Sequence, residues 1–318
     1  MCEIRRLLTV VLVGMLAGGL CGCGGDEGGS TNLSDEEQAK AILQEAREGN
    51  PTYAQSIKMV EDLVSIGEPA VPVLIEATAD ETWRVRQIAA EALGRLEAEE
   101  AAEPLTQRLR EEEDERVRSV LPRALGKIGD PVATDVLIDS MNNDPDAVVR
   151  REAVRALGNF KTDKVVEALI AALDSDDSSI VTEAMKSLAN IGDPAAFEPL
   201  AERINAGRAI RLQAVESLGV LGDQRAYEPL LQVLQTGNWE MKATAATALG
   251  KLGAPQAVEH LAELLKDSEQ HASARISAAH ALADLGGQEA MDALKSCRQD
   301  EEEYVRLAVE RALENVQQ

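Results

Sequence analysis

The segment Val117–Pro131, VRSVLPRALGKIGDP, decides the fold because variants of it recur along most of the chain. The segment Val149–Gly158 repeats it as VRREAVRALG. One leucine marks each copy and returns at intervals of 30 to 33 residues, at Leu63, Leu93, Leu125, Leu157, Leu188, Leu218, Leu249, Leu282 and Leu313. A fixed period of this length indicates a repeat protein whose units stack one on the next.

The residues around each marker leucine predict an amphipathic helix, which we call helix B. From Leu93 onward, apolar residues stand eight and four positions before the marker, and the residue directly before it is Ala or Ser. A further apolar residue follows three positions after most markers. These offsets fall on one stripe of a helix with about 3.6 residues per turn. The small residue should let a neighbouring helix approach closely.

A second apolar pattern follows a turn after helix B and predicts helix A of the next unit. The turn Gly129-Asp130-Pro131 has the residues that end one helix and start another: Gly accepts the left-handed conformation, Asp caps, and Pro suits the first helical position. Neither stripe can be buried alone, so the units must stack. The sequence therefore predicts an all-α solenoid of about eight helix pairs at 69–318, preceded by capping helices within 34–68, at about 34–48 and 53–66.

The first 33 residues predict export and attachment to a membrane. Arg5 and Arg6 precede the apolar run Leu7–Leu20, which is shorter than the roughly 20 residues of a membrane-spanning helix and is typical of a secretory signal. The following Leu20–Cys23 segment resembles a bacterial lipobox, in whose register Cys23 becomes lipidated. We therefore predict a lipoprotein signal peptide at 1–22 and a lipidated cysteine with a flexible tether at 23–33.

Two alternatives to lipidation remain open, namely an ordinary secretory signal cleaved nearby and a retained anchor helix. If Cys23 carries several acyl chains, such as palmitate, the attachment to the bilayer is stable. The resemblance to lipoprotein sorting signals, with Gly24 rather than Asp after Cys23, implies the outer membrane, facing the periplasm. The outer face of the cytoplasmic membrane is the alternative.

The charge of the chain limits the class of partner. The 318 residues carry a formal net charge of −24. Such a surface repels nucleic-acid backbones, so nucleic-acid binding is not expected. It attracts cationic groups, which favours a basic protein or peptide as the partner.

The repeat motifs resemble those of HEAT-repeat proteins, and in particular the short PBS-lyase HEAT-like repeats. The resemblance rests on Val117–Pro131, Val149–Gly158 and the similar residues Arg211–Asp223, and it covers about residues 53–316. It implies a right-handed α-α superhelix of the armadillo type. It says little about function, because related repeats occur in enzymes, in bilin-lyase subunits and in scaffolds.

A cation recurs seven positions before the marker leucine, and Val181 is the exception. The residues are Arg86, Arg118, Arg150, Arg211, Lys242, Arg275 and Arg306. A cation near a helix N-terminus is locally unfavourable, so its recurrence implies a partner. The resemblance implies that these side chains pair with acids of the turns as a structural ladder. A stripe that binds anions is the alternative.

Two tryptophans share a position ten residues before the marker, Trp83 and Trp239. If exposed, they are candidate contacts for a partner; packing across the turn between helices A and B is the alternative.

The sequence predicts no catalytic residue, metal ligand or cofactor. Iron-binding HEAT-repeat hydroxylases use repeated His-Glu dipeptides, whereas this chain has only the reverse order, Glu259-His260.

We therefore expect a non-catalytic scaffold for protein interactions, anchored to the bacterial cell envelope, with an envelope protein or peptide as its partner. Two alternatives are kept. One is an enzyme or a lyase-like subunit, either bilin lyase-like or oxidoreductase-like, which the family resemblance alone suggests. The other is a structural spacer in the envelope.

Overall fold

The computed structural model describes residues 33–316. The predicted signal peptide, Cys23 and nearly all of the predicted tether lie outside the described residues. Within residues 33–316 the chain is helical and contains no strand. The helices are α1 (Asp35–Glu48), α2 (Tyr53–Ile66), α3 (Val71–Ala77), α4 (Trp83–Arg95), α5 (Ala102–Glu111), α6 (Glu115–Arg118), α7 (Leu121–Ile128), α8 (Thr134–Asn143), α9 (Ala147–Leu157), α10 (Asp163–Ala172), α11 (Ser178–Ile191), α12 (Phe197–Glu202), α13 (Arg208–Leu221), α14 (Tyr227–Thr236), α15 (Trp239–Leu252), α16 (Val258–Lys266), α17 (Ala272–Leu285), α18 (Gly287–Ser296) and α19 (Glu303–Val316).

These helices form the predicted pairs, and the all-α superhelix is confirmed. Helix A of successive repeats is α3, α5, α8, α10, α12, α14, α16 and α18. Helix B is α4, α6 with α7, α9, α11, α13, α15, α17 and α19. Each B helix packs against the B helix of the next repeat, so stacking buries the stripes that one repeat leaves open.

The marker leucines lie at the centre of the core. Leu93, Leu125 and Leu157 have no exposed surface, and the least buried marker, Leu313, exposes 2%. The glycine after a marker touches the small residue before the next marker. A Cβ atom added to Gly94 would lie 2.6 Å from Ala124 Cα, and one added to Gly219 would lie 2.6 Å from Ala248 Cα. The small residues thus allow neighbouring B helices to approach closely, as the sequence pattern predicts.

One predicted helix is interrupted. The B helix of the second repeat ends at Arg118 as α6 and begins again at Leu121 as α7. Pro122 explains the break because proline has no N–H to bond Arg118, and its ring collides with that carbonyl. The turns agree with prediction: Gly129 ends α7 with a left-handed φ of 73°, and the Asp130 side chain accepts the Val132 N–H at the start of the next turn.

Across residues 33–316, no helix combines the length and the apolar character needed to cross a bilayer.

Candidate functional site

The cations seven positions before the marker lie at the junctions between repeats. In the first junction, Arg86 Nε and Nη2 each donate a 2.7 Å hydrogen bond to the carboxylate of Glu112. Arg86 Nη1 also donates to the backbone carbonyls of Asp80 and Glu81, in its own repeat. Arg86 belongs to the first turn of α4, and Glu112 directly follows α5 of the next repeat. The guanidinium therefore ties two repeats together and caps carbonyls in the turn before α4.

The same arrangement recurs at other junctions. Arg118 Nε donates to Asp144 at 3.0 Å, and Arg150 Nη2 lies 3.7 Å from Asp177. Arg275 pairs with Asp300 through both terminal nitrogens. Each acid stands 25 to 27 residues after its cation, in the following repeat. We call these contacts between repeats the ladder.

The ladder holds buried charges in their ionised forms. Burial raises the pKa of Glu112, but hydrogen bonds from Arg86 and from the Asp114 N–H outweigh burial, so this pKa lies below its ordinary 4.5. The hydrogen bond with Glu112 raises the pKa of Arg86. Burial likewise raises the pKa of Asp300, whereas hydrogen bonds from Arg275 and the Glu302 N–H lower it more strongly, to below 3.8. Ionised pairs at the junctions stabilise the stacked state at neutral pH.

Three other ladder positions depart from the ion-pair pattern. Lys242 Nζ donates to the neutral Gln270 at 2.8 Å. Among the described residues, Arg306 in the last repeat donates only to the carbonyls of Asp300 and Glu301. At Val181 the cation is missing, and Arg203 of the next repeat instead pairs with Asp174 and donates to the Leu173 carbonyl.

Arg211 is the position without a partner. Its side chain makes no hydrogen bond or ion pair within residues 33–316, and its Nε is buried with no acceptor. The resemblance implied that the ladder cations pair with acids of the turns, and the described residues provide no such acid for Arg211.

Sequence reasoning missed a second set of charges on the B helices. Arg123 donates to Glu91 across one junction, and Arg155 Nε donates to Glu183 at 2.7 Å across another. Glu152, nine-tenths buried, also accepts from Arg155, at 2.8 Å. The missed signal was charge two positions before the marker, where Glu91, Arg123, Arg155 and Lys186 stand.

The two tryptophans that share a sequence position lie in different surroundings. Trp83 is half-buried against the core, and Arg116 Cζ lies over its ring, 3.6 Å from the centroid. Trp239 is 49% exposed and stacks on His271 with ring centroids 4.4 Å apart. Trp83 therefore packs across the repeat junction, whereas Trp239 presents an aromatic surface to solvent.

The described residues offer few groups arranged for catalysis. No three His, Cys, Asp or Glu side chains between 33 and 316 lie together as a metal site would require. Cys297, the described cysteine, is buried. His271 accepts the Ser273 N–H as the cap of α17. Glu112, Asp144 and Asp300 pair with arginines of the neighbouring repeat, whereas Arg150 and Asp174 line a cavity of about 250 Å³.

Family and structural comparisons agree with this geometry. The model of the family described as HEAT repeats matches overlapping segments at 39–123, 71–153, 141–209, 206–272 and 228–314. No curated protein sequence matches the chain.

Several solved structures have a similar fold. YibA of Escherichia coli is 14% identical, with a TM-score of 0.52 and coverage of 85% of this chain and 99% of YibA. Kap121p is 14% identical, with a TM-score of 0.53 and coverage of 88% of this chain but 37% of Kap121p. The complex of CpcE and CpcF of phycocyanin lyase from Nostoc sp. PCC7120 is 19% identical, with a TM-score of 0.46 and coverage of 92% and 100%. At these identities the likeness concerns the fold alone.

Proposed function

Since the chain belongs to the HEAT-repeat family, we propose that it is a non-catalytic scaffold for protein interactions, held at the bacterial cell envelope by acyl chains on Cys23. Stacked repeats present their helices as an extended surface, which suits the binding of a protein or peptide. The net charge of −24 favours a basic partner.

The observation that carries the proposal is the exposure of Trp239. Its ring is 49% exposed at the start of α15, where the stack on His271 supports one side of it. Tryptophan is enriched among the residues that dominate binding energy at interfaces, because it buries a large area with little loss of conformational freedom. Trp83 stands at the same position of an earlier repeat, and there arginine side chains cover its ring. A tryptophan at this position of the repeat is therefore not exposed by the fold alone.

The use of the titratable side chains also supports a scaffold. Carboxylates that could serve acid–base chemistry are paired with arginines across the junctions, as Glu112 is with Arg86. The enzyme alternative rests only on the resemblance, since a fold shared with enzymes does not imply an activity.

Binding through Trp239 is tested by capture from an envelope extract followed by measurement with the purified partner. The soluble body, residues 34–318, is the bait, and the Trp239→Ala variant is compared with it. We expect to capture a polypeptide that binds the wild type. The Trp239→Ala variant should bind the same polypeptide at least tenfold more weakly. Tyr304→Ala is the control, because Tyr304 is 68% exposed but belongs to the last repeat. Equal affinity for wild type and Trp239→Ala would exclude Trp239 as the anchor.

The anchor is tested separately with Cys23→Ser in the full-length chain. Labelled palmitate should enter the wild type, and the variant should lose both the label and its membrane association. Cys21→Ser is the control, since Cys21 does not fit the lipobox register. Unchanged label in Cys23→Ser would contradict the predicted lipidation site.

A further inference from the structure

The unpaired Arg211 occupies a junction that lacks its acid. Gly237 stands 26 residues after Arg211, the separation that places Glu112 after Arg86 and Asp144 after Arg118. Glycine cannot supply a carboxylate. A side chain cannot simply be added either, because a Cβ atom on Gly237 would lie 2.7 Å from the Val233 carbonyl oxygen and 2.7 Å from Met241 Cβ.

The next residue is neutral as well. Asn238 stands 27 residues after Arg211, as Asp177 stands after Arg150. Asp177 caps α11 and lies 3.7 Å from Arg150. Asn238 caps α15 through a 3.0 Å hydrogen bond from the Met241 N–H but brings no negative charge. Thr236, at the 25-residue separation of Arg275 and Asp300, is neutral too, so all three positions that provide an acid at other junctions are uncharged here.

Arg211 also lacks the backbone contacts that four other ladder arginines make. Arg86, Arg118, Arg150 and Arg306 each donate to the carbonyls five and six residues before them. Arg211 donates to neither Asn205 nor Ala206. The buried Nε of Arg211 has no acceptor, which is destabilising. The side chain as a whole is only partly buried, so an acceptor that reaches the guanidinium from outside would relieve this penalty.

The surroundings favour an anion. Residues 203–215 contain Arg203, Arg208 and Arg211 but no acid, in a chain with 56 acidic and 32 basic residues. Arg208 is exposed and pairs bidentately with Glu240, and Arg203 pairs with Asp174. Arg211 is thus the uncompensated charge of a local basic segment.

We propose that the junction between α13 and α15 is a binding site for a carboxylate presented by another polypeptide, which takes the place of the missing ladder acid on Arg211. A carboxylate suits the site because guanidinium groups bind it through two parallel hydrogen bonds. Carboxylates also occupy the corresponding place at four other junctions, as Glu112, Asp144, Asp177 and Asp300 do. The proposal does not rest on the proposed Trp239 anchor, although Trp239 directly follows Asn238 in the chain.

The test follows the Arg211 Nε–H resonance in NMR spectra of the full-length protein, assigned by its loss in Arg211→Lys. The probes are N-acetyl-aspartate methylamide, acetate and inorganic phosphate, with N-acetyl-asparagine methylamide as the uncharged control. We expect the aspartate probe to shift the resonance to saturation and the asparagine probe to leave it unchanged. Tighter binding of the aspartate probe than of acetate supports a polypeptide source. Equal or tighter binding of acetate overturns that source in favour of a free carboxylate, and tighter binding of phosphate overturns the carboxylate itself.

Asn238→Asp is the matched variant. It keeps the cap of α15 but supplies an internal carboxylate at the position of Asp177, so it should weaken the response to the aspartate probe at least tenfold and raise the thermal midpoint. The aspartate probe should raise the thermal midpoint of the wild type but not that of Arg211→Gln. Without the probe, Arg211→Gln should unfold at a thermal midpoint no lower than that of the wild type. An unshifted resonance in the wild type, or the same binding in Asn238→Asp, would overturn the site.

Discussion

Glu112 connects the charge of a single residue to the stability of a junction. Its carboxylate is buried and accepts two hydrogen bonds from Arg86. Glu112→Gln should destabilise the protein by about 1–3 kcal/mol at pH 7, because the guanidinium loses its charged acceptor. Since the pKa of Glu112 is lowered by folding, its contribution is present above pH 4.5 and is lost as the pH falls through the folded value.

The measurement is chemical unfolding of wild type and variant across pH 7 to 3. The difference between the two proteins should stay constant down to about pH 4.5 and then shrink. Glu113→Gln is the control, since it removes the same charge from an exposed neighbour. A difference that grows in acid would contradict the assigned direction of the pKa.

Leu157 tests the packing of the marker position. Its side chain has no exposed surface, so Leu157→Ala should cost about 2–5 kcal/mol, which combines lost transfer energy with the cavity left behind. Val148→Ala in the same helix is the control, because Val148 is 44% exposed and surface changes usually alter stability by about 0.5 kcal/mol or less. Equal losses in the two variants, read from urea unfolding, would contradict the register of α9.

At the level of single residues, the sequence predicted the positions of the ladder cations but not all of their partners. The recurrence of Arg118 and Arg150 shows that a partner is needed, because a cation is unfavourable where these helices begin. Which acid pairs with a given cation depends on the turn in the next repeat, because the separation between cation and acid varies by one or two residues. The replacement of the missing cation at Val181 by Arg203 involves a residue from another helix, and no periodic pattern indicates it.

At the scale of the helix, the contact between Gly219 and Ala248 sets the spacing of α13 and α15. A Cβ atom on Gly219 would lie 2.6 Å from Ala248 Cα. Gly→Ala inside an exposed helix normally stabilises by about 1 kcal/mol. Here the helices must separate, so Gly219→Ala should lower the thermal midpoint instead. Thr247→Ala, on the exposed face of α15, should not lower it; a raised midpoint for Gly219→Ala would show that the two helices can move apart freely.

Helix bounds were predictable where strong capping residues stand at both ends of a helix. Helix α2 lies at Tyr53–Ile66 as the pattern predicts, because Thr52 and Gln55 form a capping box and Gly67 ends the helix. The break at Pro122 was missed because the apolar stripe continues through it. Apolar spacing reports which face is buried, whereas an interrupted hydrogen-bond ladder depends on one residue.

At the scale of the whole molecule, stability should vary along the described repeats, because each contacts mainly its neighbours. The weakest part should lie around α12 and α13. Helix α12 has only 6 residues, the ladder lacks its cation at Val181, and Arg211 has no acceptor. By contrast, Arg86 and Arg118 have paired acids. Local opening free energies follow such differences in packing and hydrogen bonding.

Native-state hydrogen exchange measures this variation. We expect amides of residues 197–221 to exchange at lower opening free energy than those of residues 83–128. The difference between these two opening free energies should become smaller in Asn238→Asp, which supplies the missing acid next to α13. The terminal repeats serve as the internal reference for fraying. One uniform opening free energy from α4 to α17 would instead indicate a single cooperative unit, in which the unpaired Arg211 has no effect on local stability.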